Sequence, residues 1–288
     1  MRATQGPAWL EAQYNNRARV PEYAQVFERW AAASALVRQQ PGISLDVPYG
    51  AGADEQLDIF PSASPVPGGA PVLVFIHGGY WRSLDKAQHA FVAPIFNAAG
   101  ALVLVPNYAL CPAVTVEHIA LQMAHMLIWV WRNAASHGGD PSRIVLVGHS
   151  AGGHLATMLL SCRWKELASE MPLQPLAGVL SISGLYDLEP LRHTPFVQAD
   201  LRLTPASVAR LSPAFFPRPK GAKLYTLVGL DESDEFLRQN HLIREVWGPT
   251  AVPVCETLPG VNHFTVLGGL AEPGARLNEL ALRLLGLR

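Results

Sequence analysis

A serine flanked by glycines is the residue of this chain best placed to do chemistry. Gly148-His149-Ser150-Ala151-Gly152 is a G-x-S-x-G pentapeptide. The apolar run Arg143 to Val147 precedes it, and a segment with Leu155, Met158 and Leu159 at helical spacing follows. Strand, G-x-S-x-G, helix is the context of a nucleophile elbow, a strained turn that presents the hydroxyl while small neighbours let other backbone come close. The competing reading is a glycine-rich turn whose serine only caps the helix. A serine hydroxyl becomes a nucleophile only with help. It needs a base to take its proton, an acid group to hold that base in one tautomer, and donors for the oxyanion that forms.

Residues of those types stand on loops that follow other apolar runs. His77-Gly78-Gly79-Tyr80-Trp81 follows PVLVFI at 71 to 76. Gly78 and Gly79 are small enough to let a carbonyl oxygen reach backbone N–H groups, and with the amide of Ala151 they would form an oxyanion hole. The loop Gly229 to Phe236 follows 223 to 228 and carries four acids. Asp234 and Glu235 suit the first turn of the next helix, where carboxylates favour the helix dipole. Asp231 and Glu232 both stay open as the acid partner. Pro259-Gly260-Val261-Asn262-His263-Phe264 follows the last apolar run, and His263 completes the chain order serine, acid, histidine. His89, His118, His125, His137, His154, His193 and His241 are read as ordinary histidines. His118 and His125 have no H-E-x-x-H context, so no metal site is expected. Without a P-loop or a G-x-G-x-x-G, no cofactor is expected either.

The elements that must position these residues alternate along the chain. Strands are expected at 43 to 49, 56 to 60, 71 to 76, 101 to 105, 143 to 147, 178 to 183, 223 to 228 and 252 to 257. Helices are expected at 86 to 99, 115 to 136, 151 to 162, 233 to 247 and 273 to 287. Such alternation predicts an α/β fold with a mostly parallel eight-stranded sheet covered by helices on both faces. Ligands of such sheets bind outside the carboxyl ends of the strands, where the loops above lie. Residues 8 to 40 read as an irregular helical segment, with Tyr23, Val26, Phe27, Trp30, Ala33 and Val37 on one face that docks on the same domain. The proline-rich stretch 184 to 222 reads as a cap-like insertion roofing the site.

Composition narrows the function classes. The 288 residues are 49% hydrophobic and 16% charged, with a net charge of −1. That suits one domain with a large core and argues against a nucleic-acid partner, which needs a basic stripe. Cys111, Cys162 and Cys255 are far apart and in no metal-ligand spacing, as expected of buried thiols in a reducing compartment. The N-terminal stretch has no apolar leader, and no run of about 18 apolar residues occurs. The expectation is a cytoplasmic protein acting on a small molecule, with no membrane partner and a homodimer left open.

With these residues in view, the chain resembles the α/β-hydrolase superfamily and, within it, the kynurenine formamidases (arylformamidases). The segments that carry the likeness are YNNRARVP (14 to 21), HGGYW (77 to 81), GHSAGGHLA (148 to 156), SGLYDLEPL (183 to 191) and ESDEFLRQ (232 to 239), spread over residues 10 to 285. G-x-S-x-G is common to esterases of this fold, whereas HGGYW together with E-F-x-R-Q is far more selective. The resemblance implies Ser150 as nucleophile, His263 as base and acid, and Glu232, directly before S-x-E-F, as the third member. Animal members resemble D-S-x-E-F, so glutamate stands here in place of aspartate. The chain lacks the His-rich signature of the unrelated metal-dependent formamidases. Tyr80 and Trp81 are expected to bind substrate, and Tyr108, Phe196, Phe215 and Phe216 could complete the wall. The implied reaction is hydrolysis of N-formyl-L-kynurenine. A short-acyl carboxylesterase is the alternative, and a silent hydrolase-fold scaffold is disfavoured by the presence of every expected catalytic residue type.

Overall fold

The apolar runs become eight strands in a computed structural model that describes residues 6 to 287. They are β1 (Ser44–Pro48), β2 (Gln56–Phe60), β3 (Ala70–Ile76), β4 (Leu102–Pro106), β5 (Gly139–His149), β6 (Leu176–Ile182), β7 (Lys223–Gly229) and β8 (Val254–Leu258). The helices are α1 (Pro7–Tyr14), α2 (Asn16–Arg19), α3 (Tyr23–Arg38), α4 (Ala93–Ala98), α5 (Val116–Asn133), α6 (Ala151–Leu159), α7 (Trp164–Leu167), α8 (Pro195–Leu201), α9 (Pro205–Leu211), α10 (Asp234–Ala251) and α11 (Arg276–Leu285). Met1 to Gln5, part of the N-terminal stretch read above for a leader, and Arg288 lie outside the described residues.

The strands form one sheet in the order β1-β2-β4-β3-β5-β6-β7-β8. β2 pairs antiparallel with both β1 and β4, and every pairing from β4 through β8 is parallel. The pleat sends successive residues to opposite faces. Val72, Val74 and Ile76 therefore enter one core with Phe236, Ile243 and Trp247 of α10, while Leu73 and Phe75 enter another with Val26 and Trp30 of α3 and Leu277 and Leu280 of α11. Two buried faces explain why β3 has no polar residue: all seven of its positions are buried.

Local chemistry adjusts the expected boundaries. The segment 8 to 40 is three helices, because the Asn15 side chain accepts from the N–H of Ala18 and starts a new turn, and Pro21 cannot continue it. The helix expected at 86 to 99 shrinks to two 3-10 turns and α4, with Pro94 at the start of α4. Between β6 and β7, the chain at 184 to 222 carries α8 and α9, each opened by a proline. No helix among the described residues is long and apolar enough to cross a membrane.

Candidate active site

Ser150 joins β5 to α6 with φ 55° and ψ −118°. A non-glycine residue held there costs roughly 1–3 kcal/mol, so its surroundings must over-determine it. They do so by close backbone approach. A Cβ on Gly148 would lie 2.2 Å from the carbonyl oxygen of Gly152, and one on Gly152 would lie 2.0 Å from that of Ile76. The N–H of Ser150 donates to the carbonyl of Ile182 at 2.8 Å, which ties the turn to β6.

Two further loops bring their side chains to this serine. His263 Nε2 lies 3.1 Å from Ser150 Oγ, and its Nδ1 lies 2.6 Å from Glu232 Oε2. The other oxygen of Glu232 accepts from Ser183 Oγ at 2.5 Å and from the N–H of Gly229 at 2.8 Å. The carboxylate is thus tethered at both ends in a buried position. Asp231 points to solvent instead, so of the two acids left open by the sequence only Glu232 meets the histidine. The His263 ring is packed by Phe236 at 4.5 Å, His149 at 4.9 Å and Phe264 at 5.4 Å between centroids.

Gly78 and Gly79 lie beside the serine for steric reasons. A Cβ on Gly78 would come 2.9 Å from the carbonyl oxygen of His149 and 3.1 Å from Ser150 Cβ. Gly79 has φ +105°, and a Cβ there would strike the carbonyl oxygen of Ser83 at 2.1 Å. The Tyr108 hydroxyl donates to the carbonyls of His77 and Gly78, bracing this loop from below. Ala151 is the first residue of α6, where an N–H has no acceptor inside its own helix.

A cavity of about 190 Å³ opens over Ser150 and His263. Tyr80 lines it, with its hydroxyl donating to the carbonyl of Tyr14 at 2.6 Å and its ring edge-on to Phe196. Trp81 does not. It is fully buried, edge-on to His154 at 4.9 Å, so the expectation of Trp81 as a substrate contact gives way to a packing role. Tyr108 is buried behind the loop, Phe215 is exposed elsewhere, and of the three insertion phenylalanines Phe196 alone reaches the wall. The missing wall comes from the N-terminal segment: Asn15, Asn16, Arg17, Phe27 and Trp30, with Arg82, Ser83, Leu84 and Phe264. Phe27 and Trp30 were visible in the sequence as an apolar helix face. Nothing in that pattern said the face bordered a site.

The E-F-x-R-Q stretch holds that wall in place. Tyr14 donates to Glu235 at 2.7 Å, Arg238 pairs with Glu235 and Asp187, and Gln239 bonds the backbone of Tyr186 and Asp187. A motif conspicuous in the sequence therefore fastens both the N-terminal helices and the start of the insertion to the base of the site.

Four other histidines are buried around it: His77, His89, His149 and His154. Burial pushes His77 and His149 below their ordinary range, His89 down to about 3 and His154 down to about 4. His149 Nε2–H donates to the carbonyl of His263 at 2.8 Å. Each folded value lies below the unfolded value of about 6.5, so the unfolded chain binds more protons below that pH. The contribution of these histidines to stability is then level above pH 7 and falls as the pH drops from about 6.5, by up to about 1.4 kcal/mol per pH unit for each histidine. Urea unfolding at pH 7.5, 6 and 5 checks this, and an unchanged midpoint across that range would refute it.

The comparisons with known proteins agree with this fold. A family model described as the α/β-hydrolase fold matches residues 73 to 242. Kynurenine formamidase of Danio rerio is 28% identical over 248 residues, 84% of this chain and 82% of that protein. Esterase LipQ of Mycobacterium tuberculosis is 36% identical over 156 residues, 50% of this chain and 35% of that one. A solved Silicibacter structure, described as a thioesterase candidate, superposes with a TM-score of 0.81 at 30% identity, covering 93% of this chain and 97% of that one.

Proposed function

We propose that this chain, which belongs to the α/β-hydrolase family, is a serine hydrolase that cleaves the formamide bond of N-formyl-L-kynurenine. Hydrolase chemistry is common ground with its formamidase and esterase relatives. The finer reading rests on one observation, the hydrogen-bonded series Ser150, His263, Glu232 at the floor of a small, ring-lined cavity.

In this mechanism His263 Nε2 takes the proton of Ser150 Oγ as the oxygen attacks the formyl carbon. Glu232 keeps the proton of His263 on Nδ1 and stabilises the imidazolium. The N–H groups of Gly78, Gly79 and Ala151 receive the oxyanion, each worth roughly 3 kcal/mol of barrier. The C–N bond then breaks as His263 protonates the departing aniline nitrogen. Water, deprotonated by the same histidine, releases formate from the formyl-serine. The cavity of about 190 Å³ is smaller than the roughly 300–1,000 Å³ of pockets for drug-sized ligands, which suits a one-ring metabolite better than a long-chain ester. The identity to the Danio rerio formamidase over most of both chains supports the same substrate.

A short-acyl carboxylesterase is the second reading, favoured by the identity to Esterase LipQ over half of the chain. The two separate on kcat/KM for N-formyl-L-kynurenine beside p-nitrophenyl acetate. A value on the order of 10⁵ M⁻¹s⁻¹ or more for the formamide, well above the ester, is expected for an enzyme on its own substrate. Brisk ester cleavage with no formamide turnover would sink the formamidase reading and leave the serine mechanism intact.

A further inference from the structure

The cavity over Ser150 is lined by two guanidinium groups and, among the described residues, by no carboxylate. The two arginines differ. Arg82 is paired with Asp200 and lies 5.3 Å from the Phe196 ring, so its charge is already met. Arg17 sits 5.4 Å from the Tyr23 ring and 5.6 Å from the Phe27 ring, and its Nη2 donates to Ser83 Oγ at 3.2 Å. Among the described residues it has no ion pair. Next to it, Asn16 is 5% exposed, and its Nδ2 is buried with no hydrogen-bond partner. Buried amide donors are nearly always satisfied in folded proteins, so this one, on a residue of the cavity lining, is open to an acceptor from a water or a ligand.

We propose that Arg17, together with the Asn16 amide, binds a carboxylate on the departing half of the substrate. This rests on the formamidase reading, since the acyl half of a formamide is a single carbon and any carboxylate must travel with the amine. In N-formyl-L-kynurenine it is the amino-acid carboxylate. The Tyr23 and Phe27 rings hold the guanidinium by cation–π contact and leave its remaining N–H groups for a two-pronged bond to an anion. Ser83 Oγ, which receives Arg17, itself donates to the carbonyl of Gly79 at 3.0 Å. The anion site is therefore tied to the loop beside Ser150, so a substrate anchored at one end is set in register at the other. The amine of the same amino acid meets no acid in the lining, so selectivity falls on the carboxylate.

The test compares N-formyl-L-kynurenine with its carboxamide, on wild type, Arg17→Met and Arg17→Lys. Wild type should prefer the carboxylate by about tenfold or more in kcat/KM, mainly through KM. Arg17→Met should reduce that preference to about twofold or less, and Arg17→Lys should restore part of it. A wild type indifferent to the carboxylate overturns the proposal without any variant, and so does a preference that survives in Arg17→Met. Failure of the formamidase reading shows separately, as loss of both formamides from a protein that still cleaves phenyl acetate. The pair 3-acetoxybenzoate and phenyl acetate, with the carboxylate on the departing phenol, then decides the Arg17 assignment by the same ratio. Cleavage of neither ester overturns the assignment together with the serine mechanism.

Discussion

Replacing Ser150 with alanine is expected to lower turnover by about 10³-fold or more while leaving the fold in place. The size follows from the proposed role of Oγ: without it His263 has nothing to deprotonate and no acyl-enzyme can form. What survives is binding and the oxyanion donors, which in other triads sustain only a small residue of rate over water. The side chain itself does little for the structure. Among the described residues its hydroxyl has one hydrogen-bond partner, His263 Nε2 at 3.1 Å, and the turn is set by backbone approach at Gly148 and Gly152. Thermal unfolding should therefore shift little. Near-wild-type turnover on a purified, folded variant would end the serine mechanism, whichever substrate is correct.

Glu232→Gln should cost about 10⁴-fold, against a loss within about twofold for Asp231→Asn. One carboxylate oxygen accepts from Ser183 Oγ and the N–H of Gly229, and the other faces His263 Nδ1. In the glutamine variant the amide oxygen stays where two donors point, so its NH₂ is turned toward Nδ1. That stabilises the tautomer protonated on Nε2, which cannot take a proton from Ser150, and removes the charge that steadies the imidazolium. Asp231 faces solvent and should be nearly silent. The measurement is kcat for both variants on the same substrate. A stronger effect at Asp231, or a Glu232→Gln loss under tenfold, would show that the acid acts differently from this account.

Much of this arrangement is legible in the sequence because it is local. Short continuous apolar runs predict buried strands, and their alternation with helical segments predicts a parallel sheet with its loops gathered at one end. The order serine, acid, histidine on three such loops then follows from chain position. Ser150, His263, Gly78 and Gly79 could be named because each sits on a loop that follows a strand, and a strand end is a fixed place in this kind of sheet.

Choices that depend on side-chain reach were closed to the sequence. Asp231 and Glu232 are adjacent and chemically alike. Only the turn that buries one beneath Gly229 and Ser183 and leaves the other in water separates them. Trp81 follows Tyr80, yet the backbone sends the two rings apart, one to the cavity and one into the core beside His154. Most of the wall is brought from far along the chain. Asn16, Arg17, Phe27 and Trp30 reach Ser150 across more than a hundred residues, through docking fixed by Tyr14, Glu235 and Gln239. Reaction class was written in short motifs, whereas the shape and charge of the cavity came from contacts between segments whose sequences carry no sign of one another.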